Sequence, residues 1–145
     1  MIFQEHGDYK ITADGEIILF IAKGSWNIES ATRCITLVNS CIEEIASNKF
    51  AMAVNTREIT GNTPESYEAL MKAIIHWRNL GLGAVSFIDN TDTANYRVFV
   101  ADFEKAFRAS LNFKGTDTLD EAIKWFNDLG YPGFPSYSKN NPFIG

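Results

Sequence analysis

The sequence predicts an α/β domain: a mixed sheet of four or five strands, the first two antiparallel, covered by about four helices. Three observations lead there. Short apolar or alternating runs (Tyr9 to Thr12, Ile17 to Ala22, Phe50 to Val54, Ala84 to Ile88) are separated, after the first pair, by longer segments whose apolar residues recur every three or four positions. That is the pattern of strands joined through helices, not of a bundle or a sandwich. The long segments also open on residues that cap helices, and 145 residues is the length of one domain with a substantial core.

Tyr9 to Thr12 alternates like a half-buried strand, and Ala13-Asp14-Gly15-Glu16 reads as the turn of a hairpin. Ile17 to Ala22 is apolar without a break, as strands covered on both faces are. Lys23-Gly24-Ser25-Trp26-Asn27 then leads into a first helix, capped by Asn27, with Glu29 near the positive end of its dipole. Its apolar stripe is Ala31, Cys34, Val38, Cys41, Ile42 and Ile45.

The central unit runs from Phe50 to Leu80: a strand over Phe50 to Val54, a polar turn from Asn55 to Asn62, and a helix opening at Thr63-Pro64-Glu65-Ser66. Thr63 can accept a free backbone N–H, and Pro64 at the first helical position lacks one that would be unpaired anyway. Tyr67, Leu70, Met71, Ile74 and Trp77 form the buried stripe, and Gly81 followed by Leu82 supplies the stop. Arg78 falls within that stripe; in the last turn it can lay its stem along the core and hold its charge near the carbonyl end of the helix.

Ala84 to Ile88 is the next strand, followed by a polar turn over Asp89 to Thr93 and a helix with Tyr96, Val100, Phe103, Phe107 and Leu111 on one stripe. Asn112 to Lys114 reads as a brief last strand. Thr118-Leu119-Asp120-Glu121 is a capping box, and Leu119, Ala122, Ile123, Phe126 and Leu129 line the helix that Gly130 ends. Residues 1–130 therefore form the domain. Residues 131–145 form a tail in which Pro132, Pro135 and Pro142 interrupt Phe134, Tyr137 and Phe143. So aromatic a segment is expected to lie across the last helix near Trp125, or across the same surface of a second subunit to give a homodimer.

Composition excludes several roles. A net charge of −5 repels phosphate backbones, so nucleic acid is not an expected partner. The first residues lack a secretory pattern, and the longest apolar run, Ile17 to Ala22, is far short of a membrane span. A cytoplasmic protein without stable membrane insertion is the expectation. Cys34 and Cys41 lie seven apart on one helix, with Cα atoms roughly 10 Å apart at ~1.5 Å per residue, too far for a disulfide.

The opening His6-Gly7-Asp8-Tyr9-Lys10-Ile11, the helix entry Gly24-Ser25-Trp26-Asn27 and the cap Thr63-Pro64-Glu65-Ser66 carry a family resemblance. Over roughly Glu5 to Gly130 the chain resembles the STAS-like, SpoIIAA-like domains, which are related in fold to bacterial anti-sigma-factor antagonists. The resemblance implies a non-enzymatic binding module, and some relatives of the fold bind small apolar or lipid-like ligands. The antagonists carry a phosphorylatable Ser or Thr in an Asp-Ser-Ser-Gly-like motif at the start of the central helix. Here Gly61-Asn62-Thr63-Pro64 stands instead, so Thr63 matches in place but not in motif. Thr56 and Thr60 remain as candidate acceptors.

No chemistry is argued by the remaining motifs. His6 and His76 have no second ligand at metal spacing; there is no nucleophile elbow, P-loop or dinucleotide fingerprint. No enzyme, metal or cofactor is expected. The candidate binding residues are Thr56, Arg57, Glu58, Thr60 and Thr63 of the central turn, with Ser25 and Trp26 at the neighbouring strand end, because ligands of open α/β sheets are met at the carboxyl ends of strands. The leading expectation is a protein partner at those turns. The alternative is a carrier of a small apolar or lipid-like ligand between helices and sheet, which a continuous lined cavity would favour.

Overall fold

The computed structural model describes residues 2–4, 7–88 and 101–135. The elements are β1 (Ile2–Gln4), β2 (Gly7–Asp14), β3 (Ile17–Trp26), α1 (Ile28–Ile45), β4 (Phe50–Asn62), α2 (Pro64–Leu80), β5 (Leu82–Ile88), α3 (Ala101–Phe107), β6 (Asn112–Gly115) and α4 (Leu119–Asp128). The strands form one sheet in chain order. β1, β2 and β3 are antiparallel; β3 to β6 are parallel. The expected strands are all present, and the three-residue β1 is added at the edge.

Chain order dictates the layers. Each parallel step moves the same way along the sheet, and right-handed crossovers then place α1, α2 and α3 on one face. The strands sort their side chains with period two. Ile18, Phe20, Met52, Val85 and Phe87 meet those helices; Ile17, Leu19, Ala51, Ala53, Ala84 and Ile88 meet α4 on the other face. The small residues on that second face let Phe126 and Ile123 of the amphipathic α4 approach the strands closely.

Side chains begin three of the helices. Asn27 Oδ1 accepts from Ser30 N (3.0 Å), Thr63 Oγ1 from Ser66 N (3.2 Å) and Thr118 Oγ1 from Glu121 N (3.1 Å). Arg78 lies with its guanidinium 5.8 Å from the Phe107 ring centroid and donates to Ser110 Oγ (3.4 Å), so it docks α2 onto the end of α3. His76 is exposed, Cys34 is buried and Cys41 half-buried; both cysteines are free.

Two expectations change. The segment Asn55 to Asn62 is not a turn: it continues β4, paired with β3 as far as Trp26↔Asn62. The register skips between Ile21 and Lys23 and again between Gly24 and Ser25, leaving extra residues on β4 each time. Such bulges twist the strand and break the period-two alternation, which is why a strand here reads as a polar turn. Leu111, assigned by its spacing to the third helix, instead lies beyond the end of α3, buried just ahead of β6. His6, the turn over Asp89 to Thr93, Tyr96, Val100, Tyr137, Pro142 and Phe143 lie outside the described residues.

After α4 the chain crosses the hairpin between β2 and β3. Glu16 N donates to Pro132 O (2.7 Å) and Phe134 N to the Asp14 carboxylate. This approach requires glycine on both sides: a Cβ on Gly15 (φ +59) would meet Pro132 O at 2.3 Å, and one on Gly133 (φ +153) would meet Asp14 O at 2.3 Å. Tyr131 is buried, and Phe134 and Trp125 pack against the same cluster as α4. Lys49 Nζ closes the end of the strap, 2.9 Å from Glu16 Oε1, 2.8 Å from Gly130 O and 4.6 Å from the Tyr131 ring centroid.

Candidate functional site

The bulged extension of β4 brings the sequence-designated residues together but does not present them alike. Ser25 lies beside Gly61 and Glu58 beside Lys23 on the β3–β4 ladder; Ser25, Arg57, Glu58 and Thr60 are exposed. Arg57 donates through its guanidinium to Asp117 O, tying the ribbon to the loop before α4. Thr63 is the cap of α2, and its own N–H donates to Trp26 O (3.0 Å). Thr56 and Trp26 are only 4% and 3% exposed and point into the protein. A surface partner therefore cannot touch those two side chains in this conformation.

What those side chains reach is a cavity of about 50 Å³ between the sheet and the helices above it. Phe20, Trp26, Met52, Val54 and Phe87 form its floor; Leu70, Ile74 and Trp77 of α2 and Phe103 of α3 form its roof. Thr56, Ile59 and Asn62 of the bulged strand complete it. Local sequence explains the placement. Trp26 is held by its indole N–H donating to Lys23 O (3.2 Å) and by contact with Tyr9 and Phe20. Trp77 donates to Asn39 Oδ1 (2.7 Å), joining α2 to α1. Phe103 sits edge-on to Phe87, with centroids 4.9 Å apart.

The two roof helices are clasped by Tyr67, whose hydroxyl donates to Asp102 Oδ2 (2.8 Å). Burial, then the hydrogen bond to Asp102 and its charge, push the Tyr67 hydroxyl up to about 12, so it remains a donor at neutral pH. Burial also pushes the Cys34 and Cys41 thiols up, and both stay neutral and poorly nucleophilic. Among the described residues, no group of three or more His, Cys, Asp or Glu is placed to hold a metal ion. None of the described helices is long and apolar enough to cross a membrane.

Asn62, within the segment read as the central turn but not among the candidate binding residues, lines the cavity. Its Oδ1 is buried without a hydrogen-bond partner. Ser66 Oγ, in the first turn of α2, is also buried and unpartnered, though Ser66 does not line the cavity. A signal for Asn62 was available: it precedes the cap Thr63, at the position where an apolar residue commonly packs on the fourth helical residue, here Tyr67. An asparagine there is out of pattern.

No family model matches the chain, and no curated protein matches it. Among solved structures it is similar to an uncharacterized protein of the DUF3478 family from Shewanella loihica PV-4, described as having a SpoIIAA-like fold. The two share 17% identity with a TM-score of 0.61, over 86% of this chain and 98% of the other. The chain therefore has the SpoIIAA-like fold that the resemblance implied.

Proposed function

We propose that this SpoIIAA-like domain is a non-enzymatic binding module that takes a small apolar ligand between its sheet and the helices α2 and α3. The observation that carries the reading is the cavity along β3, β4 and β5, reaching from Leu82 at the start of β5 to Asn62 at the end of β4, floored and roofed by apolar and aromatic side chains. Among the described residues its lining contains no Asp, Glu, His, Lys, Arg or Cys, so the described wall sets up no proton or metal chemistry there. Size narrows the ligand. About 50 Å³ is a third of the ~150 Å³ void that holds benzene in an engineered core. A methyl or ethyl group fits as the walls stand; a branched alkane, a ring or a lipid chain enters as roof side chains move.

Two reporters are built in. Trp26 and Trp77 line the cavity, whereas Trp125 packs with α4 on the opposite face. In a Trp125→Phe background, titration with 2-methylbutane should change tryptophan emission saturably and raise the melting temperature. Filling the cavity with Val85→Phe should abolish both effects. Emission and melting that ignore the hydrocarbon would refute the reading.

A second reading keeps the exposed face of the ribbon for a protein partner. Residues 56–62 run beyond Asn55↔Ile88, the last pair that β4 makes with β5, and display Arg57, Glu58 and Thr60 next to Ser25. Arg57→Glu combined with Glu58→Lys should then release a protein that co-purifies with the native chain while leaving hydrocarbon binding intact. Retention of that protein by the double variant would count against this face.

A further inference from the structure

We infer that Asn62 makes the cavity selective for a ligand with a neutral hydrogen-bond donor, an alcohol-like group on a small apolar body. The inference rests on the apolar-ligand reading and specifies its chemistry. A buried carbonyl oxygen without a partner leaves its desolvation uncompensated and calls for an explanation. Here the orphan atom is Asn62 Oδ1, on a residue that lines the cavity. Among the other described lining residues only the Thr56 hydroxyl could compete for it or replace it. Apart from Asn62 and Thr56, the described lining residues carry aliphatic, thioether or aromatic side chains, and the indole N–H groups of Trp26 and Trp77 are already used by Lys23 O and Asn39 Oδ1.

Three consequences follow for the ligand. Asn62 Oδ1 shows no surface to the void as the walls stand, so a hydroxyl or amide N–H supplies the missing bond once the side chain turns its oxygen to the ligand. A pure hydrocarbon fills the space and leaves the oxygen unpaired. A carboxylate or phosphate is rejected, because it would lose its hydration to a wall with no cation among its described residues and meet an acceptor. The position is also fixed from outside the cavity. Asn62 is the last residue of β4, paired with Trp26 across the ladder, and the next residue is held by Thr63 N–H to Trp26 O (3.0 Å). The backbone of the acceptor residue is therefore fixed by the β3–β4 ladder, which favours selective recognition.

The test uses three probes of equal heavy-atom count: 2-methylbutane, 2-butanol and 2-butanone, which offer no polar group, a donor that can also accept, and an acceptor only. Dissociation constants are read from Trp26 and Trp77 emission in the Trp125→Phe background. Asn62→Leu is compared with the native residue, and Asn62→Ala serves as a second variant should leucine fill the space itself. We expect either substitution to weaken 2-butanol about five- to tenfold relative to 2-methylbutane, the worth of one neutral hydrogen bond, with the 2-butanone ratio unchanged. If 2-methylbutane binds but the 2-butanol ratio is the same with and without Asn62, the donor assignment falls and the apolar site stands. If the native protein favours 2-butanone over 2-butanol, the amide presents its N–H group and the inference is overturned. Binding of none of the three overturns both this inference and the reading beneath it.

Discussion

Replacing Ile74 by alanine probes the roof of the cavity directly. Ile74 is 8% exposed, lies on the buried stripe of α2 and lines the void. The change removes three carbons, a transfer loss of ~2.4 kcal/mol at ~0.8 kcal/mol per buried carbon. The space left beside an existing cavity has few atoms able to collapse into it, so a cavity term brings the loss to about 3–4 kcal/mol, within the range for large-to-small core changes. Urea unfolding followed by tryptophan emission measures this. With a slope of ~2 kcal/mol/M the midpoint should fall by roughly 1.5–2 M. Ile75, next on the helix and 44% exposed, is the control, and Ile75→Ala should move the midpoint little. The enlarged void approaches benzene size, so benzene at ten times its Kd should return about 1.4 kcal/mol to the variant. A loss under ~1 kcal/mol, with no response to benzene, would show that the roof closes over the gap and that the packing argument is wrong.

Thr63→Ala and Thr118→Ala should each lower stability by about 1 kcal/mol, since each hydroxyl satisfies one N–H of a first helical turn; chemical denaturation midpoints that do not move would mean neither caps. Gly133→Ala should detach the strap from the β2–β3 turn, because the new Cβ would stand 2.3 Å from Asp14 O. Amide hydrogen exchange at Glu16, whose N–H donates to Pro132 O, should then accelerate, and unchanged protection would refute the strap. Glu16 accepts from Ser47 Oγ and pairs with Lys49, and these partners, Ser47 first, hold its carboxyl below the ordinary value. The unfolded chain thus takes up the proton first as pH falls, so this contribution is present above the ordinary carboxylate range and is lost as pH drops through the folded value. Stability measured against pH should show the native protein converging on Glu16→Gln in acid; parallel curves would contradict the pairing.

Legibility followed the range of the forces involved. α2 was readable because its start and stop are local: Thr63 and Pro64 open it, and Gly81, at φ 124, ends it. The hairpin was readable from Gly15, and the buried β3 from its unbroken apolar run. β4 was misjudged in its second half, since bulges place Arg57 and Glu58 side by side on the exposed surface and no period-two pattern survives. Thr56 and Trp26 were named for the right end of the sheet, but the sequence did not reveal that they turn inward. That depends on which residues of α2 and α3 lie above them. The cavity is a property of packing among β3, β4, β5, α2 and α3, and no single segment encodes it. Asn62 stands out in the sequence as a polar residue ahead of the Thr63 cap, but the burial of its oxygen depends on packing that no local pattern encodes.

The most direct measurement is a crystal structure of the native protein under pressurised xenon, which reports where a small apolar guest settles without any choice of ligand. Xenon density enclosed by Trp26, Ile74, Trp77 and Phe103 is the expected result, with no more than side-chain adjustments in α2 and α3. Xenon bound only elsewhere, with those four side chains closed over the space, would contradict the claim that this fold holds an apolar ligand between its sheet and its helices.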